Sequence, residues 1–522
     1  MDWAKYTDEG WYGDAAIRLF TTGHWFVPGD FNPAVALPVW PILLGLAFRV
    51  TGVSLVAARA LSVSVFAAAA LILAILVRRA LTALATSRSP AQPQTAAPSI
   101  AAAFLLFVLS GSPFLFAFSR MAVLEPLVVL LGLLALLAAS PAMPTITSRQ
   151  HSQLSIGTDQ GLRPAVLVGL LLPLMVLTKT TALFLTPSVF WMLWARAGYR
   201  IRPALPLFAT ALSLAGSLWL LYFGLIVHPH FLADYRYLFS VNGYTGITPD
   251  TARQLLIDTV RFGRWISPVF APAALLAAVV GLFLRPLRHQ PLFVSLLLWI
   301  AGYASFLAYH ANLQPRYYLV LAAPLLALLP LTLGSLWITD ATRPHPSQAI
   351  RVAILAASAL LTLAVFREAA TTVRYARSPT YSFLSAARQI HKLITADQHH
   401  SQLLLSISGS DISLMTGLHS ICDDFGTLEL DDRLELYKPG WYATWNQVED
   451  DKMDALTPLF HLERVAAFPA YDDPERNLLI LYRLESAGEH RAERRRRARA
   501  RLIPRRLQIH NGQQPSPNQL EH

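Results

Sequence analysis

A single cysteine, Cys422, in a chain of 522 residues excludes an internal disulfide framework. Charge is scarce as well. Asp, Glu, Lys and Arg make up 14% of the residues, against about 25% in soluble domains. The first thirty residues show no basic stretch followed by an apolar one, so no cleavable signal-peptide pattern is visible. No internal repeat can be seen. That weighs against a transporter, which commonly pairs structural repeats with coupling charges at mid-membrane.

What is abundant is apolar sequence: 54% of residues are hydrophobic, the mean hydropathy is +0.42, and long runs carry most of it. This is the composition of an integral membrane protein. The net charge of +11 would suggest nucleic acid in a soluble protein. Here the cations lie in short loops and in an Arg-rich tail, a pattern that speaks for membrane orientation and not for a nucleic-acid partner.

Ten runs read as transmembrane helices: 54–77, 99–118, 121–139, 163–178, 181–196, 203–228, 266–284, 292–310, 316–337 and 350–367. The segment 38–52 is short, opens with Pro38 and Pro41 and contains Arg49, so it reads as a helix lying at the interface. Threading the ten in order puts Arg78, Arg79 and Arg88, the 141–162 loop, Arg196 to Arg202, Arg285 and Arg288, and Arg343 to Arg351 on one side. By the positive-inside trend that side is cytoplasmic. The outer side then receives residues 1–53, Ser119-Arg120, the break at Lys179, the 229–265 loop, the stretch before Arg316, and everything after about 368.

Residues 368–485 alternate helix-like stretches (Tyr381 to Ala396) with strand-like ones (Leu403 to Ser408, Asn477 to Leu484), as a small α/β domain does. Residues 486–522 are polar and Arg-rich, and the composition predicts disorder. For that tail, contact with anionic lipid or lipopolysaccharide phosphate fits an outer location better than nucleic acid does. The expected architecture is an all-α polytopic membrane domain over 1–367 with a C-terminal extracytoplasmic α/β domain, in the inner (plasma) membrane.

The candidate chemistry begins with the adjacent carboxylates Asp8 and Glu9. At a membrane surface such a pair supplies a general base and its partner, although an isolated acidic pair is more often a solvated turn. Glu125, near a helix end with Arg120 before it, is costly in a membrane unless it faces a wet cavity or a cation such as Arg120 or Arg316. Lys179 lies between two short apolar runs, and Arg316 opens a helix after Gln314-Pro315. Either cation serves equally as an interfacial anchor or as a phosphate ligand. Arg59 reads as a helix-end anchor. His228-Pro229-His230 lacks a clear third ligand, so no zinc site is expected. Tyr437, Trp441, Tyr442 and Trp445 form an aromatic group that packs a small domain or stacks on sugar.

Taken in order, Asp8-Glu9-Gly10-Trp11-Tyr12-Gly13-Asp14, Pro28-Gly29-Asp30-Phe31-Asn32-Pro33, Ser119-Arg120 through Glu125-Pro126, Thr178-Lys179-Thr180 and Gln314-Pro315-Arg316-Tyr317-Tyr318 resemble the GT-C glycosyltransferases. The closest branch comprises the protein O-mannosyltransferases, the lipid A aminoarabinose transferases and the glycosyltransferase family 39 or RgtA/B/C/D-like proteins. The resemblance covers about residues 1–340. It implies a GT-C helical bundle, a polyprenyl-phosphate-linked sugar as donor, and a lipid, glycan or protein acceptor. Asp8 then corresponds to the catalytic base, Glu9 to a second acid that organises the site, and Glu125 with Arg120 to the second-loop acid and its partner. No cofactor is implied. Lys179 and Arg316 would hold the phosphate, and single-step attack would invert the anomeric carbon. The aminoarabinose branch carries a Lys-Pro-Pro in its first loop, where this chain reads Asn32-Pro33-Ala34, without lysine. The family also has a transmembrane helix before the acidic pair, so an upstream start adding an eleventh span is expected. A lipid-linked-sugar flippase and a surface-polysaccharide polymerase or ligase are the alternative readings.

Overall fold

The computed structural model describes residues 8–88, 96–141, 158–241, 265–309, 314–378, 382–471 and 476–488, with scattered positions between 248 and 263. The Arg-rich tail lies outside the described residues. Each of the ten apolar runs is helical, but their lengths differ. By length and composition, six described helices can cross a membrane: Leu55–Arg88, Gly161–Thr178, Ile201–His230, Pro291–Ala308, Pro315–Ala341 and one beginning at Gln348.

A seventh arises if Ala97–Gly111 and Pro113–Ser119 count as one span, bent by 72°. The bend has a local cause. Ser112 is extended and its hydroxyl caps Leu115 N at 3.3 Å, while Pro113 starts a new helix because it needs no donor at that position. The helices Glu125–Ala139 and Phe270–Phe283 are shorter, with 15 and 14 residues. At 1.5 Å per residue each covers roughly 20 Å of a hydrocarbon core about 30 Å thick. The run expected at 181–196 divides into a 3₁₀ stretch, Thr180–Leu185, and a helix, Thr186–Arg196.

Three early helices matter for the site: α1 (Glu9–Thr22), α2 (Val39–Thr51) and α3 (Leu55–Arg88). The first two belong to the opening loop, and α2 is too short to span. Close packing in the membrane body relies on small residues facing large ones. A Cβ on Gly302 would stand 2.0 Å from the carbonyl oxygen of Phe184, and one on Gly132 would stand 2.4 Å from the Trp299 ring. The last membrane helix, Gln348–Arg377, runs ten residues past its expected end at 367.

The C-terminal part is a five-stranded sheet in the order β2-β1-β3-β5-β4, with β1 Leu404–Leu405, β2 Ser420–Ile421, β3 Trp441–Trp445, β4 Phe460–Pro469 and β5 Leu478–Ser486. The first three strands run parallel, whereas β5 is antiparallel to both β3 and β4. Helix Ser382–Ala396 buries Phe383, Ala386, Ala387, Ile390 and Ile394, one stripe at helical spacing, against this sheet. Trp441 and Tyr442 are buried on β3, so these members of the aromatic group pack the domain.

Candidate active site

The site gathers where helices end. Asp8 is the residue before α1, and Glu125 is the first residue of Glu125–Ala139, followed by Pro126. Lys179 is the extended residue that breaks the chain between Thr158–Thr178 and the 3₁₀ stretch. Arg316 sits in the 3₁₀ turn Pro315–Tyr318 that opens the next long helix. Helix ends leave backbone groups that need partners, and four separate ends converge here.

The charges form a closed chain. Arg316 pairs with Asp8 through one terminal guanidinium nitrogen, and its Nε stands 3.8 Å from Glu125 Oε1. Glu125 Oε1 accepts a hydrogen bond from Lys179 Nζ. Glu125 is 0% exposed, and Lys179 and Arg316 are 7% and 6% exposed. Asp8 is the accessible member, its side chain 19% exposed. Lys179 Nζ lies 4.1 Å from the centre of the Tyr317 ring, and the Arg316 guanidinium lies 4.9 Å from it. A cation over an aromatic face is stabilised by the ring quadrupole, so Tyr317 joins the two cations without adding charge.

Glu9 has a different task. Its carboxylate takes Arg59 Nε at 2.9 Å and Nη2 at 2.5 Å, and Ala122 N at 2.8 Å. A fork-to-fork arginine pair and a backbone donor fix it completely. Glu9 thereby ties α1 to α3 and to the 119–124 turn. That turn is itself held by Ser62 Oγ, which donates to Ser119 O and Met121 O at 3.0 and 2.6 Å.

Two expectations change. Arg59 is not merely a helix-end anchor, since it is the bidentate partner of Glu9. Arg120 is not the cation that neutralises Glu125. Its Nη2 donates to Tyr375 OH at 2.9 Å, and its guanidinium lies over the Phe116 and Tyr375 rings at 5.3 and 5.5 Å. It fastens the bent helix Pro113–Ser119 to the last membrane helix, while Lys179 and Arg316 serve Glu125.

A second buried polar cluster joins the opening loop to the C-terminal domain. Asp30 is 0% exposed. It pairs with Arg18 of α1, accepts Cys422 N at 3.0 Å, and faces Arg433 Nη1 at 3.4 Å. Arg18 also pairs with Asp14 at 2.9 Å, and Ser410 Oγ donates to Asp14 Oδ1 at 2.8 Å. Asn32, where the aminoarabinose branch has its lysine motif, is engaged here. Its amide nitrogen donates to Asp234 Oδ1 at 2.8 Å and its oxygen accepts Arg18 Nη1 at 3.1 Å. Asp234 is in the helix Leu232–Val241, just after the helical turn His228–His230, so this part of the expected 229–265 loop is helical. Among the described residues no group of three His, Cys, Asp or Glu side chains is placed to hold a metal ion.

Burial also sets a pH response in this domain. It pushes the Asp423 carboxyl up from 3.8 to about 7, with Lys452 opposing and Asp424 adding to the shift. The folded state therefore retains a proton that the unfolded chain has lost. The contribution of Asp423 to stability is therefore fully present below about pH 4 and is lost as the pH rises to about 7, as linkage requires. Burial raises Asp14 to about 6, so it contributes with the same sign over a narrower window. Asp423→Asn should flatten the fall between pH 4 and 7 in the hydrogen-exchange protection of β3 amides. An unchanged slope would remove Asp423 as its source.

No family model matches the chain, and no curated protein does. Among solved structures the chain is similar to ArnT from Cupriavidus metallidurans. The form bound to undecaprenyl phosphate gives a TM-score of 0.51 at 15% identity, covering 91% of this chain and 93% of that one. The apo form gives 0.47 at 14% identity over the same shares. The likeness is one of fold, a mostly helical membrane protein; this chain also carries a small C-terminal sheet.

Proposed function

We propose that the protein is a membrane glycosyltransferase that moves a sugar from a polyprenyl-phosphate donor to a lipid, glycan or protein acceptor on the outer face of the inner membrane. The observation that carries this reading is the arrangement of two buried cations at converging helix ends, with the accessible Asp8 carboxylate on one of them. The resemblance of the motifs to GT-C enzymes supports it. So does the solved neighbour, a protein bound to undecaprenyl phosphate.

Asp8 takes the proton of the acceptor hydroxyl or amine. The freed electron pair forms the bond to the anomeric carbon as the bond from that carbon to the phosphate oxygen breaks, and the polyprenyl phosphate leaves with that pair. The phosphate gains one negative charge as it departs. Preorganised cations at the place where charge develops lower the barrier without needing to reorganise. We assign that role to Lys179 and Arg316. Attack from the face opposite the leaving phosphate inverts the anomeric centre. Glu9 and Arg59 hold the first turn of α1, and Glu125 keeps the two cations charged and spaced. The charges of the site lie at helix ends, and this favours transfer over transport.

The test uses the full chain in lipid nanodiscs, a panel of radiolabelled undecaprenyl-phosphate monosaccharides, and envelope extracts as acceptor. Asp8→Asn should cut transfer by about 10²–10⁴-fold, the usual worth of a general base, while still binding undecaprenyl phosphate. Undiminished transfer removes Asp8 as the base. Failure of the unaltered protein to transfer any sugar of the panel counts against the reading as a whole.

A further inference from the structure

Asp8 is at the N-cap position of α1, and aspartate is a residue type that ordinarily caps its own helix by accepting an N–H of the first turn. Here its side chain makes no such bond. Its carboxylate is turned to Arg316 instead. The first turn still carries orphan donors, and one of them is served from elsewhere. Gly10 N donates to Asp411 Oδ1 at 2.9 Å, across 401 residues of sequence.

Asp411 is in the first turn of the helix Gly409–Thr416 of the C-terminal domain and is 2% exposed. The surroundings are built for this contact. Trp11 Nε1 donates to Ile407 O at 2.9 Å, and Ser410 Oγ donates to Asp14. A Cβ on residue 10 would stand 2.2 Å from the carbonyl carbon of Ser410, so only glycine admits the approach.

We infer that Asp411 is a positioning residue: it caps α1 in place of Asp8 and so leaves the Asp8 carboxylate free to face Arg316 and the acceptor. Burial pushes the Asp411 carboxyl well above its ordinary value. The Gly10 N–H opposes that shift, and the nearby Asp8 and Glu9 add to it. The contact with Gly10 uses one accepting oxygen of Asp411, and asparagine supplies the same.

This inference rests on the proposed role of Asp8, and its test keeps the two apart. Asp411→Ala, Asp411→Asn and Asp8→Asn are compared in the full-length protein in nanodiscs. Turnover is read with whichever undecaprenyl-phosphate sugar the unaltered protein uses, and binding is read separately with undecaprenyl phosphate alone. In Asp411→Ala the Asp8 carboxylate is expected to turn back onto its own helix. The kcat should fall by about 10²-fold, the order of loss for a misplaced reacting group. Undecaprenyl phosphate should bind as tightly as before or more tightly, because Arg316 has lost its carboxylate. Asp411→Asn should restore most of kcat with ordinary binding.

A merely structural role would instead weaken turnover and binding together. The inference is overturned if Asp411→Ala matches the unaltered protein in both readings, or if Asp411→Asn falls as far as Asp411→Ala. If Asp8→Asn keeps full transfer, the catalytic reading fails, and the binding comparison still reports whether Asp411 holds Asp8 off the helix end.

Discussion

Replacing Lys179 by methionine is expected to destabilise the membrane domain by about 3–5 kcal/mol, the usual cost of leaving one member of a buried ion pair without its partner. Glu125 is fully buried, and one of its oxygens, Oε2, has no hydrogen-bond partner already. Without Lys179 its remaining cation is Arg316 at 3.8 Å, which is shared with Asp8. Transfer should fall as well, by about 10²–10³-fold if removal of a charge-stabilising group follows the usual scale.

A double change separates the two effects. Glu125→Gln with Lys179→Met removes both charges and should recover most of the lost thermal stability without recovering transfer. The measurements are the thermal midpoint in detergent and turnover in nanodiscs. If the double variant is no more stable than Lys179→Met alone, the pair is not the source of the loss.

The second large effect is expected at Asp30. Asp30→Ala takes away the carboxylate that Arg18 and Arg433 share from two sides. Arg18 keeps Asp14 and Arg433 keeps the carbonyl oxygens of Cys422 and Phe425. The penalty, again about 3–5 kcal/mol for a broken buried network, therefore falls on the joint between them. The C-terminal domain should loosen from the opening loop without unfolding. Limited proteolysis should then show faster cleavage in the opening loop, with the sheet still protected. The exposed pair Arg483 and Glu463, with side chains 30% and 50% exposed, is the control. Glu463→Ala should cost less than about 1 kcal/mol. Equal losses at the two sites would show that burial is not what gives Asp30 its weight.

Much of the membrane architecture was legible in the residues because apolar runs and helix breakers are local signals. Lys179 marks a break between two short apolar runs, and Tyr381 to Ala396 reads as helix-like, whereas the 72° bend at Pro113 was not read from the 99–118 run. Span lengths were less legible. Hydropathy does not register where a run turns from α to 3₁₀, as it does after Lys179.

The residues Asp8, Glu9, Glu125, Lys179 and Arg316 were identifiable from their motifs, but their pairing was not. Lys179 meets Glu125 across 54 residues and Arg59 meets Glu9 across 50, and no periodicity encodes such distances. Arg120 misled because it is near Glu125 in sequence, whereas the chain between them turns it toward Tyr375. Asp411 had no signal of its own. A faint clue lay at the other end of its hydrogen bond, in a glycine directly after the acidic pair, where a close backbone approach requires one.

The contact between Gly10 and Asp411 also has a meaning in time. The ribosome makes the first turn of α1 and makes the cap of that turn 401 residues later. At about 5–20 residues per second that interval is roughly 20–80 s. During it the emerging chain holds Asp8 and its helix but not the group that keeps Asp8 turned outward. A polypeptide that stalls before Asp411 is inserted in the membrane yet lacks an ordered acid. Synthesis itself thus delays this contact until the C-terminal domain has folded onto the opening loop.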